Sequence, residues 1–178
     1  LSTKRRRSLG IGYIGLAHFL AKNKVKYDDK EAHKLVHRLT EHFQFNLLKT
    51  SVELAKEKGD CDGWSDTKYF GGQLPIDHYK KDVDELVEPV YECDWESLRE
   101  ELVIHGVRNS TLTAQMPSES SSVVSNETNG VEPPRDYLSI KKSKKGPLKQ
   151  IVPGYPHLKN FYTLLWDMPN NDGYIKIV

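Results

Sequence analysis

Apolar positions recur along this chain in two rhythms, and the stronger one marks a single long helix. Ala32, Leu35, Val36, Leu39, Phe43, Leu47 and Leu54 fall near helical spacing, with Lys and Glu on the other side, as an amphipathic helix requires. Asp28-Asp29 supplies a capping start and Gly59 a stop. Ahead of it, Leu9 to Ile14 reads as a buried strand that leads into a helix ending near Lys22. Behind it, Asp60 to Pro75 is rich in Asp and Gly and reads as loop; KKDVDELV is at most a weak helix or turn. Asp94 then caps a helix through Trp95, Leu98 and Leu102 that closes at Gly106.

The period-two rhythm follows. Thr111 to Met116 alternates and predicts a strand, which Pro117 and Ser118 break. Ser118 can cap a helix whose first turn is Glu119, Ser120, Ser121 and Ser122. Asn129-Gly130 ends it and Pro133-Pro134 forbids continuation. Tyr137 to Ile140 and Leu148 to Val152 predict two strands joined through KKSKKG, and Tyr155 to Met168 predicts a final helix. Helix, strand, turn and helix in that order predict an α/β fold.

The stretch around Ser118 carries the chemistry. A strand running into a hydroxyl-rich helix start exposes free backbone N–H groups at the positive end of the helix dipole, which suits a phosphate. Glu119 conflicts with that reading if it faces the anion; it can instead bond a ligand's hydroxyls or the nearby backbone. An ordinary capped Ser/Glu loop explains the same residues, and local spacing does not separate the two. The stretch has no GKS or GKT, so it is no P-loop.

Composition bounds the remaining readings. The 178 residues suffice for one domain, with 37% apolar and 29% charged residues. A formal net charge of +1 gives no bulk electrostatic reason to expect nucleic acid or membrane. Cys61 and Cys93 form neither a CxxC nor a metal spacing, which predicts reduced thiols without a role in a cytosolic protein. Lys4-Arg5-Arg6-Arg7 before an apolar run looks like a signal peptide, but His18 interrupts the run and lysines follow it. The run also falls short of the ~20 residues of a membrane span. His33 and His37 sit four apart with His42 nearby, yet no third ligand is evident, so exposed histidines on a polar face are expected. Trp64, Tyr69 and Phe70 either line a base pocket or, more commonly, fasten a long loop to the core. The lysines at 141, 142, 144, 145 and 149 could touch phosphates, but a solvated hairpin tip is the commoner explanation. The chain begins at Leu1 and ends at YIKIV; the expectation is a processed protein or part of a longer polypeptide.

The blocks MPSESSS and SNETNGVEPPR, preceded by HGVRNSTLTAQ, resemble the large catalytic subunit of class I ribonucleotide reductase. RRRSLGIGYIGLAHFLAKN, ELAKEKG, LPIDHYKKDVDELV, YECDWESLREELVIHGVRNSTL, DYLSIKKSKKG and LWDMPNNDGY fit the same family in order and spacing, over essentially the whole chain. The resemblance implies a late portion of a ten-stranded α/β barrel, with residues 1–178 as a single segment of that barrel domain. It further implies that Pro117, Ser118, Glu119, Ser120 and Ser121 hold the diphosphate of a ribonucleotide substrate. Ser120 stands where relatives often have Thr, which keeps a hydroxyl and an N–H.

That family reduces ribonucleoside diphosphates by thiyl-radical chemistry. The cysteines, glutamate and asparagine that perform it match nothing in this stretch, so no catalytic residue is assigned here. The implied partners are the remaining part of the large subunit, a small subunit bearing a radical cofactor, the ribonucleoside diphosphate, and thioredoxin or glutaredoxin as reductant. ATP and deoxynucleotide effectors are implied for the whole enzyme, which would work in the cytoplasm, or a host's cytoplasm if phage-encoded. The rival expectation is a non-catalytic phosphate-binding or assembly module derived from that subunit.

Overall fold

A computed structural model describes residues 2–143 and 146–178. The helices are α1 (Ser2–Arg6), α2 (Leu16–Lys22), α3 (Lys30–Lys58), α4 (Trp95–His105), α5 (Glu119–Ser125), α6 (Tyr155–Leu158) and α7 (Asp172–Ile175), with short 3₁₀ turns between them. The strands are β1 (Leu138–Ser143) and β2 (Gly146–Ile151). The chain divides into two compact units. One comprises the residues up to Ile11 together with His37–Ala114; the other comprises Gly12–Val36 and Gln115–Val178.

The first unit is built on the later turns of α3 and on α4. Leu48, Val52, Leu74, Trp95, Leu98, Leu102, Val107 and Leu112 form its core, with Phe45, Leu47, Trp64 and Tyr69 packed against it. Trp64 and Tyr69 therefore fasten the 60–75 loop, and Trp64 meets Phe70 edge-on at 5.9 Å. The buried face of α3 follows the expected stripe at Ala32 and Val36 and departs from it further along. Glu41, Leu48, Val52 and Ala55 are buried, whereas Leu39, Phe43, Leu47 and Leu54 are half-buried. A buried carboxylate at position 41 is tolerated because three donors meet it: Glu92 N and Cys93 N at 2.9 Å and Trp95 Nε1 at 3.1 Å.

Helix α4 starts and stops as expected. Asp94 accepts from Ser97 N at 3.0 Å, and Gly106 at φ 71 donates to Leu102 O at 2.8 Å. Helix α3 also ends before Gly59. At its start, however, Asp29 turns back to accept from Lys26 N at 3.2 Å, and Asp28 accepts from Thr163. The helix start falls where the sequence predicts it, with both carboxylates engaged by groups outside α3. The three histidines of α3 are half-buried rather than exposed. His37 lies against Tyr91, and His42 contacts Glu92 and Cys93. Among the described residues no group of three His, Cys, Asp or Glu side chains is gathered for a metal. Cys61 is buried and Cys93 half-buried, and both are free thiols. Burial pushes each thiol up from its ordinary pKa.

Two predicted strands are not formed. Leu9–Ile14 and Thr111–Met116 contribute only one isolated parallel bridge, Ile11 with Thr113. Leu9 N donates to Thr111 O and Ile11 N to Leu112 O, both at 2.9 Å, so the segments meet without a continued ladder. Among the described residues the one sheet consists of β1 and β2.

In the second unit, α2 buries Leu16, Ala17, Leu20 and Ala21. Tyr27 is 2% exposed and donates from its hydroxyl to Val131 O at 2.6 Å. The hairpin pairs antiparallel from Leu138 with Ile151 to Ser143 with Gly146, so its strands run further toward the tip than predicted. Lys144 and Lys145 lie outside the described residues. The predicted final helix is broken. α6 ends at Leu158 and Tyr162 is already extended, with its hydroxyl donating to Pro153 O at 2.8 Å. Thr163 Oγ1 accepts from Tyr27 N and donates to Asp28, which fixes the extended path. Tertiary bonds override a weak helical rhythm here. Among the described residues, no helix is long and apolar enough to cross a membrane.

Candidate diphosphate-binding turn

Two reciprocal bonds fix the approach to the turn: Tyr13 N donates to Gln115 Oε1 at 3.2 Å, and Gln115 Nε2 to Tyr13 O. Ser118 stands at the N-cap of α5, as the sequence predicts. Its hydroxyl does not cap the helix, however, but donates to Met116 O at 3.1 Å. The Ser118 N–H is held by Asn129 Oδ1 at 3.1 Å. Ser122 N donates to Ser118 O at 2.9 Å and so begins the helical ladder. The N–H groups of Glu119, Ser120 and Ser121 thus fall in the first turn, where an α-helix offers no internal acceptor.

The five predicted site residues are brought together in one short turn, and four of them, Pro117, Glu119, Ser120 and Ser121, are exposed. Ser122 is not available: it is 1% exposed and its hydroxyl donates to Glu119 O at 3.0 Å. The helix also ends earlier than predicted. Asn126 takes the left-handed conformation at φ 53 and Glu127 N closes on Ser122 O at 2.8 Å, so the stop comes before Asn129-Gly130.

The 127–136 segment is anchored rather than free. Gly15 N donates to Thr128 O at 3.0 Å, and His18 Nδ1 lies 2.7 Å from Glu127 Oε2. Gly15 sits at φ 79, and a Cβ there would stand 2.7 Å from Glu127 Oε2. Only glycine satisfies both the conformation and that close approach. Gln150 of β2 donates to Ser122 O and Glu127 O at 3.3 and 3.2 Å, which ties the hairpin to α5.

One lysine of the basic run, which the sequence reads mainly as a hairpin tip and otherwise as a phosphate contact, lies beside the turn. Lys141 reaches the helix start, its Nζ 3.2 Å from Glu119 O. Alternation along β1 does place Lys141 with Ser139, on the face opposite Leu138 and Ile140. The local signal could therefore separate Lys141 from the tip lysines but could not name what it meets. Beside the turn lies a cavity of about 350 Å³ lined by Glu119, Glu127, Asn129, Lys141 and Gln150 among others. The arrangement gathers three first-turn N–H groups, two free hydroxyls and one ammonium. It can hold an anionic oxygen and has a carboxylate, Glu119, beside it for a hydroxyl donor.

The sequence model of the family described as "Ribonucleotide reductase, barrel domain" matches residues 1–164. The chain belongs to this family. It is 57% identical over 173 residues to ribonucleoside-diphosphate reductase 1 subunit alpha of Salmonella typhimurium, covering 97% of this chain and 23% of that protein. The subunit alpha of Haemophilus influenzae is 56% identical over 177 residues, covering 99% of this chain and 23% of its own length. That of Enterobacteria phage T4 is 49% identical over 165 residues, covering 93% and 22%. The chain therefore spans about 23% of the length of the curated bacterial relatives it matches. The helices and the hairpin fit part of a barrel domain of the α/β kind.

Proposed function

We propose that this chain is the substrate-diphosphate-binding part of a ribonucleoside-diphosphate reductase. All 178 residues then belong to one ten-stranded barrel domain completed by the rest of the large subunit. Pro117 and Ser118 set the turn. The N–H groups and hydroxyls of Ser120 and Ser121, with the N–H of Glu119, hold the diphosphate, and Lys141 adds a compensating positive charge. Glu119 turns its carboxylate to the ribose hydroxyls. The observation that carries the reading is the exposed first turn of α5, with its unclaimed donors and Lys141 at 3.2 Å from Glu119 O.

The reduction of the 2′ position by a thiyl radical belongs to residues outside this chain. Cys61 is 1% exposed, and burial raises the pKa of both thiols, so neither cysteine is assigned to it. The working enzyme would need a radical-bearing small subunit, thioredoxin or glutaredoxin, and ATP or deoxynucleotide effectors, in the cytoplasm of the cell or of a phage's host. The test is substitution of Ser120 and Ser121 by Ala in the assembled enzyme. Loss of two hydroxyl contacts weakens substrate binding about tenfold. Lys141→Ala weakens it by a further few-fold, on the order of an exposed ion pair. Unchanged substrate affinity in both the double-serine and the Lys141 variants sinks the assignment.

A further inference from the structure

Four consecutive basic residues, Lys4 to Arg7, stand near the start of the chain, and they divide into two pairs. Arg5 and Arg6 face Asp66, at 2.6 and 3.8 Å. Lys4 and Arg7 have no carboxylate partner among the described residues. With Lys58 and Arg108 they border a cavity of about 420 Å³, and no acidic side chain is among its described lining residues. Four cations without a carboxylate partner among the described residues surround one concavity and repel each other, and a multiply charged anion relieves that repulsion. Ser8 and Asn109 add hydrogen-bonding groups to the wall, and Leu54 an apolar patch.

The cavity rests on a frame that fixes its cations. Arg7 is held at φ 46, a conformation that non-glycine residues seldom adopt. Its N–H donates to Thr3 O and its carbonyl accepts from Asn109 Nδ2, both at 2.8 Å. Asn109 is itself locked by buried Ser51: its N–H donates to Ser51 Oγ at 2.9 Å, and Ser51 Oγ donates back to Asn109 Oδ1 at 3.1 Å. Arg108 Nη1 donates to Lys58 O and Gly59 O at 3.0 and 3.1 Å. It thereby covers the last carbonyls of α3, which would otherwise repel an anion. Arg7 Nε is shielded from solvent, and no described residue accepts its proton. The Arg7 guanidinium thus lends the cavity wall a charge that a phosphate can pair with.

We propose that this cavity binds the di- or triphosphate group of a small ligand, at a site built from residues other than those of the Ser118–Ser121 turn. The inference does not depend on the diphosphate assignment above. The test titrates the full 178-residue chain with inorganic tripolyphosphate and separately with ATP, by calorimetry at low ionic strength and by amide chemical shifts. Both probes should bind here and shift Arg7, Ser8, Arg108 and Asn109, separately from any shifts at the Ser118–Ser121 turn. Equal affinities place recognition in the phosphate chain alone; tighter ATP adds its base against the Leu54 side. Lys4 and Lys58 are exposed, so Lys4→Ala/Lys58→Ala spares the fold and should weaken tripolyphosphate about tenfold. Ser120→Ala/Ser121→Ala should leave the probe-induced shifts of Arg7, Ser8, Arg108 and Asn109 unchanged. The proposal is overturned if neither probe binds, if the double lysine variant binds like the parent, or if the serine variant alone abolishes binding.

Discussion

Replacing Glu41 removes the acceptor on which the 92–95 turn is hung, and its cost can be worked out from the donors left behind. Glu41 is 6% exposed and receives Glu92 N at 2.9 Å, Cys93 N at 2.9 Å and the Trp95 indole N–H at 3.1 Å. An unpaired buried donor costs about 1–3 kcal/mol. Trp95 is buried and bears its full cost, while water can reach the donors of the more exposed Glu92 and half-buried Cys93. The sum for Glu41→Ala is therefore about 3–5 kcal/mol. Glu41→Gln keeps one oxygen but points an amide N–H at a donor, for about 1–2 kcal/mol.

The effect depends on pH in a definite direction. Burial by itself raises the Glu41 pKa, but the bonds from Cys93, Glu92 and Trp95 outweigh it and hold the carboxyl below its ordinary 4.5. A lowered folded-state pKa stabilises the fold at higher pH, and that stability is lost as pH falls below 4.5 through the folded value. Urea denaturation of parent, Glu41→Ala and Glu41→Gln at neutral pH and in steps below it gives both numbers. The gap between parent and Glu41→Gln should narrow in acid. An Ala variant that loses under about 1 kcal/mol, or a gap that stays constant into acid, refutes the reasoning.

Two further substitutions probe the second unit. Gly15→Ala places a Cβ 2.7 Å from Glu127 Oε2 at φ 79; the backbone strain alone costs about 1 kcal/mol. Displacement of Glu127 should move the His18 ring resonances, and a variant with parental stability and His18 shifts contradicts the close approach. Tyr27→Phe deletes the 2.6 Å bond to Val131 O and should cost about 1–2 kcal/mol in thermal unfolding. In the parent, burial first and then the Tyr174, Tyr13 and Glu132 charges push the Tyr27 phenol well above its usual value. Ultraviolet titration should accordingly show Tyr27, together with the likewise buried Tyr162, ionising only with unfolding.

Much of the fold was legible where local chemistry decides it. Asp94 and Gly106 bound α4 because capping and left-handed conformation are properties of single residues. Strand prediction at Thr111–Met116 failed because pairing depends on distant partners, and only Ile11 meets Thr113 in a bridge. The Tyr155–Met168 helix failed because Tyr162 and Thr163 bond to Pro153, Tyr27 and Asp28. In the site, the turn Pro117–Ser121 was readable from its serines and its break. Lys141 was visible as one of several basic residues, but its contact with Glu119 O was not, since it spans two elements. The basic run at Lys4–Arg7 was visible, but Lys58 and Arg108 join it only in the folded chain.

The most direct measurement is a structure of the assembled reductase with a ribonucleoside diphosphate bound. The β-phosphate oxygens should lie within hydrogen-bonding distance of the N–H groups of Glu119, Ser120 and Ser121, with Lys141 Nζ close to the same phosphate. A diphosphate bound elsewhere, with this turn facing only solvent or protein, would contradict the proposed role.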